Sequence, residues 1–322
     1  PVAYFLLAKL ALNAEVYTDN DWTDGVRPDG GTISFTIDGR QQNAWQATVT
    51  YCDRITAMGY APEPVYETNF AVYNESSVEN IFTIPMNKTL YTNQMQYLFR
   101  SRHYNHAKAY GLSGENGSSA TKDALRVFGY DTAEVDPRFD KCYFAGVMYD
   151  LKGELIRLDD GTVLEYHPWE VAVDISDTPY EKTAGARMKK YAIDTDATKD
   201  GKLMENDIVL FRYADVLLMK SEAKVRNGEN GDAELAQVRS RVGAVARPAT
   251  LENLLDERLL EFAWEGWRRQ DLVRFGRFTR AYSDRPQLAG EESGYTTVFP
   301  IPGNVLKMNE RLRQNKGYLM SD

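Results

Sequence analysis

Hydrophobic positions along this chain fall at helical spacing near both ends and lose that spacing in between. Residues Ala3 to Ala14 are apolar on nearly every side, the pattern of a helix packed between others. A polar, glycine-rich excursion from Thr18 to Gln42 follows. A second helix is then predicted from Ala44 to about Met58, with Ala44, Ala47, Tyr51, Ile55 and Met58 on one face. From Tyr60 to about Pro168 the chain divides into short aromatic runs, such as Ile81-Phe82-Thr83-Ile84, separated by Gly, Asn, Ser and Pro clusters. Regular spacing returns at Asp207, where Leu210, Ala214, Leu217, Leu218, Ser221 and Val225 share a helical face and Gly228 marks its end. A short helix from Ala233 to Val242 follows. A longer one then carries Leu251, Leu254, Leu255, Leu259, Phe262 and Ala263 on to Gly266, with Thr250 as its N-cap.

The first two helices carry small residues where they would cross, as a tetratricopeptide-type pair does. The excursion between them is longer than that repeat's turn, however, and no second copy follows within about 34 residues. A long irregular middle is uncommon in a compact domain unless it carries function, which places the binding surface there. The first residues are already the body of an apolar helix, so the chain reads as a piece of a longer polypeptide.

Composition narrows the partners. With 322 residues and 43% hydrophobic content the chain can bury a sizeable core. Its net charge of −9 disfavours nucleic acid and anionic lipid and favours a neutral ligand. No apolar run of about 20 residues is present to span a bilayer as a helix. Cys52 and Cys142, far apart in sequence, support neither a disulfide framework nor a paired-cysteine zinc site, although a bridge between them stays geometrically open.

Three clusters invite chemistry. Glu257, Glu261 and Glu265 sit at i, i+4 steps among Arg258, Arg268, Arg269 and Asp271. A glycosidase instead needs two carboxylates flanking a sugar in a cleft, so an ion-paired helical face explains this cluster and no catalytic residue is assigned. His103 and His106 lack the acidic neighbour of a zinc-binding helix, and no metal is assigned there. Asp196, Thr198, Asp200 and Asp207, with Gly201 between, echo positions 1, 3, 5, 12 and 6 of a calcium loop. The preceding Lys189–Ile193 reads as a strand rather than an entering helix, which favours a solvated turn. Asp196, Asp200 and Asp207 stay as a weak calcium candidate.

The run from Asn206 to Ala223 contains Arg212-Tyr213-Ala214-Asp215-Val216-Leu217-Leu218-Met219, and Val238-Arg239-Ser240-Arg241-Val242-Gly243 follows it, a pair of motifs that resembles the SusD/RagB family. Next comes Asp256 to Gly276, with Glu257-Arg258, Glu261-Phe262, Glu265-Gly266, Asp271-Leu272 and Arg274-Phe275-Gly276 in the family's order. Pro300-Ile301-Pro302 and Gln314-Asn315-Lys316-Gly317-Tyr318 close it, with Lys316 where proline is usual. Weaker matches lie upstream at Leu12–Tyr17, Asn74–Phe82 and Asp136–Phe139. The resemblance implies a mainly α fold: a TPR-type helical scaffold with a loop-rich ligand-binding region and small β elements. It divides into a helical pair over 1–58, a ligand-presenting region over 59–205 and the helical signature over 206–322. It also implies a cell-surface lipoprotein of the outer membrane that binds glycans without being an enzyme or needing a cofactor, and that delivers them to a SusC-like TonB-dependent transporter. A helical-repeat scaffold that binds only proteins is the alternative.

No family motif fixes the ligand site, so residue chemistry must place it. Sugar rings pack their C–H faces on aromatic planes and pair their hydroxyls with amide, carboxylate and guanidinium groups. Tyr91, Tyr97, Arg102, His103, Tyr104, Asn105, Tyr110 and Asn116 concentrate both kinds, with Trp22, Tyr166 and Trp169 as the second set.

Overall fold

The computed structural model describes residues 1–90 and 100–318. Tyr91 and Tyr97 therefore lie outside the described residues. The chain opens with α1 (Val2–Leu12), α2 (Ala14–Tyr17), a hairpin of β1 (Ser34–Ile37) and β2 (Arg40–Asn43), and α3 (Ala44–Thr56). The middle carries β3 (Asn80–Ile84), α4 (Tyr104–Ala109), α5 (Lys122–Phe128), α6 (Phe139–Cys142), β4 (Tyr143–Phe144), β5 (Gly146–Val147), β6 (Glu165–Tyr166), β7 (Arg187–Met188) and α7 (Thr198–Gly201). The last part holds β8 (Ile208–Arg212), α8 (Tyr213–Arg226), α9 (Asp232–Arg241), α10 (Leu251–Phe262), α11 (Arg268–Arg274) and α12 (Gly303–Met308). Helices dominate, and among the described residues the four sheets are two-stranded and antiparallel. Among the described residues no helix is long and apolar enough to cross a membrane.

Two helical pairs form the scaffold. Helices α1 and α3 pack together, α3 packs on α8, and α8 pairs with α9. Their shared core includes Phe5, Leu12, Trp45, Ile55, Leu217 and Leu254. Helix α3 starts sharply because Asn43 and Gln46 form a capping box, each side chain accepting the other's backbone N–H. The expected N-cap of α10 is present, with Thr250 Oγ1 accepting Asn253 N–H at 3.2 Å. On α1, Leu6 and Leu10 stay 47% and 52% exposed although the helix is apolar all round.

The structure corrects four boundaries. The helix expected from Asp207 begins only at Tyr213, because Ile208–Arg212 pairs with Asn80–Ile84 as β8 on β3, so Leu210 lies on a strand. Lys189–Ile193, expected as a strand, forms none, and the two-residue strand β7 lies just before it at Arg187–Met188. Helix α10 stops at Phe262, where Ala263 leaves helical geometry and Trp264 turns left-handed at φ +67°. The first helix breaks at Asn13, one residue before the expected end. Cys52 and Cys142 are both buried free thiols.

The acid and arginine cluster of α10 is ion-paired, but across the fold rather than along its own helix. Glu257 meets Arg138 at 2.7 Å and also Arg239, while Glu261 meets Arg138 at 2.9 Å, Arg212 at 2.5 Å and also Arg241. Arg258 joins Asp215 and Asp271, each at 2.7 Å, and Asp215 holds buried Lys9 of α1 at 2.7 Å. Arg274 bonds Glu222 at 2.8 and 2.9 Å. Burial alone would raise the Glu261 carboxyl, yet Arg241, Arg212 and Arg138 outweigh it and hold it well below the usual carboxylate range.

Removing one member strands charge in the core. Glu261→Gln should cost about 3–5 kcal/mol, read as a lower urea midpoint with unchanged slope. Acid should act on the same lattice. Burial would raise the Glu222 carboxyl from its ordinary 4.5, but Arg274 and Arg226 bring it down to about 2. Its contribution is therefore complete above the unfolded value and is lost as pH falls towards 2. The urea midpoint should decline between about pH 5 and about pH 3, and Glu222→Gln should flatten part of that decline.

Candidate functional site

The middle region folds around α4 and the meander from Gly146 to Tyr166. In the meander, β5 and β6 are extended by Tyr149↔Leu155 and Arg157↔Val163 bridges. Met148, Ile156, Leu164 and Tyr166 point to one side and form a small core of their own. Tight turns at Asp150–Gly153 and Leu158–Gly161 connect the segments. Tyr149, by contrast, faces solvent at 52% exposure, and Leu151 and Leu155 are exposed as well.

Helix α4 docks on that meander through polar contacts. His103 caps it, its Nδ1 accepting the Asn105 N–H at 3.1 Å. The Tyr166 hydroxyl accepts the His103 N–H at 2.7 Å and lies 3.0 Å from His106 Nδ1. Burial, aided by the charges of Arg102 and His103, lowers His106 to about 3, so the ring stays neutral. Asn105 Nδ2 donates to the Arg157 carbonyl at 2.9 Å and to Asp159 Oδ1 at 3.0 Å. At the other end, the Tyr110 hydroxyl donates to the Tyr149 carbonyl at 3.2 Å.

The loop from Gly111 to Ser119 closes back over the chain before α4. Arg100 Nε donates to the Ser113 carbonyl at 3.0 Å, and Arg100 pairs with Glu115 at 3.2 Å. A Cβ at Gly114 would stand 2.5 Å from the Arg102 carbonyl, so only glycine allows this approach. Asn116 Nδ2 donates to the Lys182 carbonyl at 2.8 Å, while its buried Oδ1 meets no partner among the described residues.

The predicted site residues thus separate into two groups. Tyr104 is 56% exposed, and Asn105, Tyr110 and Asn116 are partly exposed along the same seam. Arg102 and His103, at 5% and 6% exposure, are buried, which removes their side chains from the surface that a ligand meets. Of the second set, Tyr166 is also buried, and its phenol is raised to about 12 by that burial. Trp22 and Trp169 are half-buried.

The calcium candidate does not assemble. The Asp207 carboxylate is buried and accepts Met86 N–H at 2.8 Å and the Thr83 hydroxyl at 3.0 Å, whereas Asp196 is exposed. Nothing is described of the Asp200 side chain. Among the described residues no set of three or more His, Cys, Asp or Glu could hold a metal.

Sequence reasoning missed the meander, and with it Tyr149, Arg157 and Asp159. A signal was available: Ile156-Arg157-Leu158 and Leu164-Glu165-Tyr166 each alternate apolar and polar on either side of Asp160-Gly161, a hairpin pattern.

Helical hairpins carry an irregular surface on inserted loops, where Tyr104 and Tyr149 are exposed. The chain belongs to the SusD family, whose model matches residues 78–318. It is 32% identical over 139 residues to the starch-binding protein SusD of Bacteroides thetaiotaomicron, an overlap of 41% of this chain and 25% of that protein. Surface glycan-binding protein A of Bacteroides thetaiotaomicron superposes with a TM-score of 0.63 at 20% identity, over 97% of this chain and 62% of that one. A structure of that protein with laminarihexaose gives 0.59 at 21% identity, over 84% and 59%. A SusD superfamily protein of Bacteroides vulgatus gives 0.64 at 18% identity, over 98% and 64%. These structural likenesses establish the fold. The chain spans a quarter of the curated relative and about three-fifths of the solved chains.

The Tyr166 hydroxyl is the joint between α4 and the meander. Tyr166→Phe leaves the His103 N–H and His106 Nδ1 without a partner in a buried place, so it should lower stability by about 1–3 kcal/mol while leaving helical content unchanged. Circular dichroism melting of the two proteins checks both parts.

Proposed function

We propose that this protein binds oligosaccharides at the cell surface on the seam between α4 and the Gly146–Tyr166 meander, without turning them over. We propose further that it hands them to a SusC-like TonB-dependent transporter from a lipid-anchored position on the outer membrane. The observation that carries the binding reading is the placement of Tyr104, Tyr110 and Tyr149. Two of these rings are largely exposed and one partly so, and the segments bearing them are locked by backbone and amide hydrogen bonds. Rigid aromatic faces beside amide and carboxylate groups suit saccharide stacking at small entropic cost. Family membership and the glycan-binding names of its relatives support the class of ligand. The partner and anchor rest on the family resemblance alone. The non-catalytic reading is supported by the Glu257 and Glu261 carboxylates, which are buried among arginines rather than facing one another across a cleft. A protein-only scaffold would bury its loop aromatics, which Tyr104 and Tyr149 do not do.

The test uses the full-length protein and calorimetry against an oligosaccharide panel that includes laminarihexaose. With the tightest ligand, Tyr104→Ala, Tyr110→Ala and Tyr149→Ala should each lose about 1–2 kcal/mol of binding with little change in unfolding midpoint, and Tyr97→Ala extends the series. Full affinity in all four would move the site to Trp22 and Trp169. Release of reducing ends from any panel member would overturn the non-catalytic reading.

A further inference from the structure

A second concave surface lies elsewhere on the molecule and contains none of the seam's residues. It is a half-open groove of about 1020 Å³ between α5, α10 and the chain from Arg268 to Tyr282. Val127, Leu251, Leu255, Leu259, Leu272 and Phe278 give it an apolar lining. Leu251, Leu255 and Leu259 stand at i, i+4 and i+8 on α10, the ridge that one helix offers to another in the commonest packing class. A helix with side chains is about 10–12 Å across and rises 1.5 Å per residue, so a space of this size takes roughly two turns.

The charges lining the groove are unbalanced. Arg27, Arg268, Arg269, Arg277 and Arg280 have no carboxylate within ion-pair distance among the described residues. Arg268 donates to the Leu255 carbonyl at 2.7 Å and Arg269 to the Thr297 carbonyl at 2.8 Å, while Arg277 and Arg280 are exposed with no side-chain partner among the described residues. Among the described residues Glu252 and Asp256 are the acids of the lining with no cation within ion-pair distance, and the charge of Arg268 acts on Asp256. Arg226 and Arg274, also in the lining, share Glu222, with Glu15 also 3.9 Å from Arg226 and Asp271 2.8 Å from Arg274. The groove therefore offers an apolar seat whose lining holds more guanidiniums than carboxylates.

We propose that this groove docks an amphipathic helix of a separate protein, with leucine-like residues on the seated face and carboxylates along one flank. Charge complementarity selects the acidic flank, and the leucine ridge selects a helix over an extended strand.

A labelled peptide serves as the probe: about 15 residues, long enough for a helix to begin to hold, with leucines at helical spacing and glutamates along one flank. Its twin carries lysine for every glutamate. Binding is read by fluorescence anisotropy on the full-length polypeptide. The acidic peptide should bind saturably and at least about tenfold more tightly than its twin, and its affinity should fall as salt rises above about 0.15 M. Arg277→Glu with Arg280→Glu should weaken it by about tenfold, and Leu251→Asp should weaken it further, with no change in saccharide affinity or in melting, since all three positions are exposed. Equal affinity for both peptides, or affinity that ignores these substitutions, overturns the proposal. So does absence of binding, which would mean the groove is closed in the whole molecule. Self-association removed by Leu251→Asp would also overturn it, by naming a second copy as the occupant.

Discussion

The Glu261 carboxylate is the point on which the two halves of this fold depend. It reaches Arg212 at the end of β8, Arg241 at the end of α9 and Arg138 before α6, while its backbone carbonyl accepts Arg212, Lys190 and Tyr66. One residue of α10 thus ties the helical scaffold to the irregular middle. Among the described residues its lattice comprises Arg138, Arg212, Arg239, Arg241 and Lys190 against Asp136, Glu79, Glu257, Glu261 and Glu265, five charges of each sign. Such balance is what makes burial tolerable, because each ion meets its opposite at hydrogen-bond distance instead of low-dielectric protein. Buried ion pairs often add no more stability than apolar residues of similar volume would, so the lattice is better understood as fixing which element lies against which. Guanidiniums accept only a few geometries, and a shifted α10 would leave charges unpaired.

A second lattice does the same for the first helical pair. Lys9 is the one basic residue in the apolar α1, and it is buried between Asp215 and the ring of Trp267, its Nζ lying 3.7 Å from the ring centroid. Asp215 also holds Arg258, so α1, α8 and α10 are registered through three neighbouring side chains.

The scaffold was legible because packing rewards period: Leu217, Leu218, Leu254 and Leu255 announce helices by spacing, and Thr250 announces where one starts. The strand at Ile208–Arg212 was not, because its residues also suit a helix and only the distant Asn80–Ile84 decides the matter. The ion pairs were legible in kind but not in partner. A sequence shows that Glu261 has Arg258 within one turn, yet the arginines it chooses lie on other elements. The site was less legible still. Arg102 and His103 have the composition of a ligand contact, but His103 serves as a helix cap and both side chains are buried. Tyr149, two residues past a short strand, carries no distinguishing mark at all until the meander places it.

That contrast follows from how hydrogen bonds are distributed. Where the backbone satisfies itself in helices, side chains are free to pack, and their pattern reports burial. Where it does not, as around α4, side chains such as Tyr166, Asn105 and Asn116 must bond the chain themselves, and their polarity no longer signals contact with a ligand. The same bonds hold the loops in one arrangement without regular structure. An irregular surface so fixed can present Tyr104 and Tyr149 as rigid planes, and a ligand that stacks on them does not have to order the loops first.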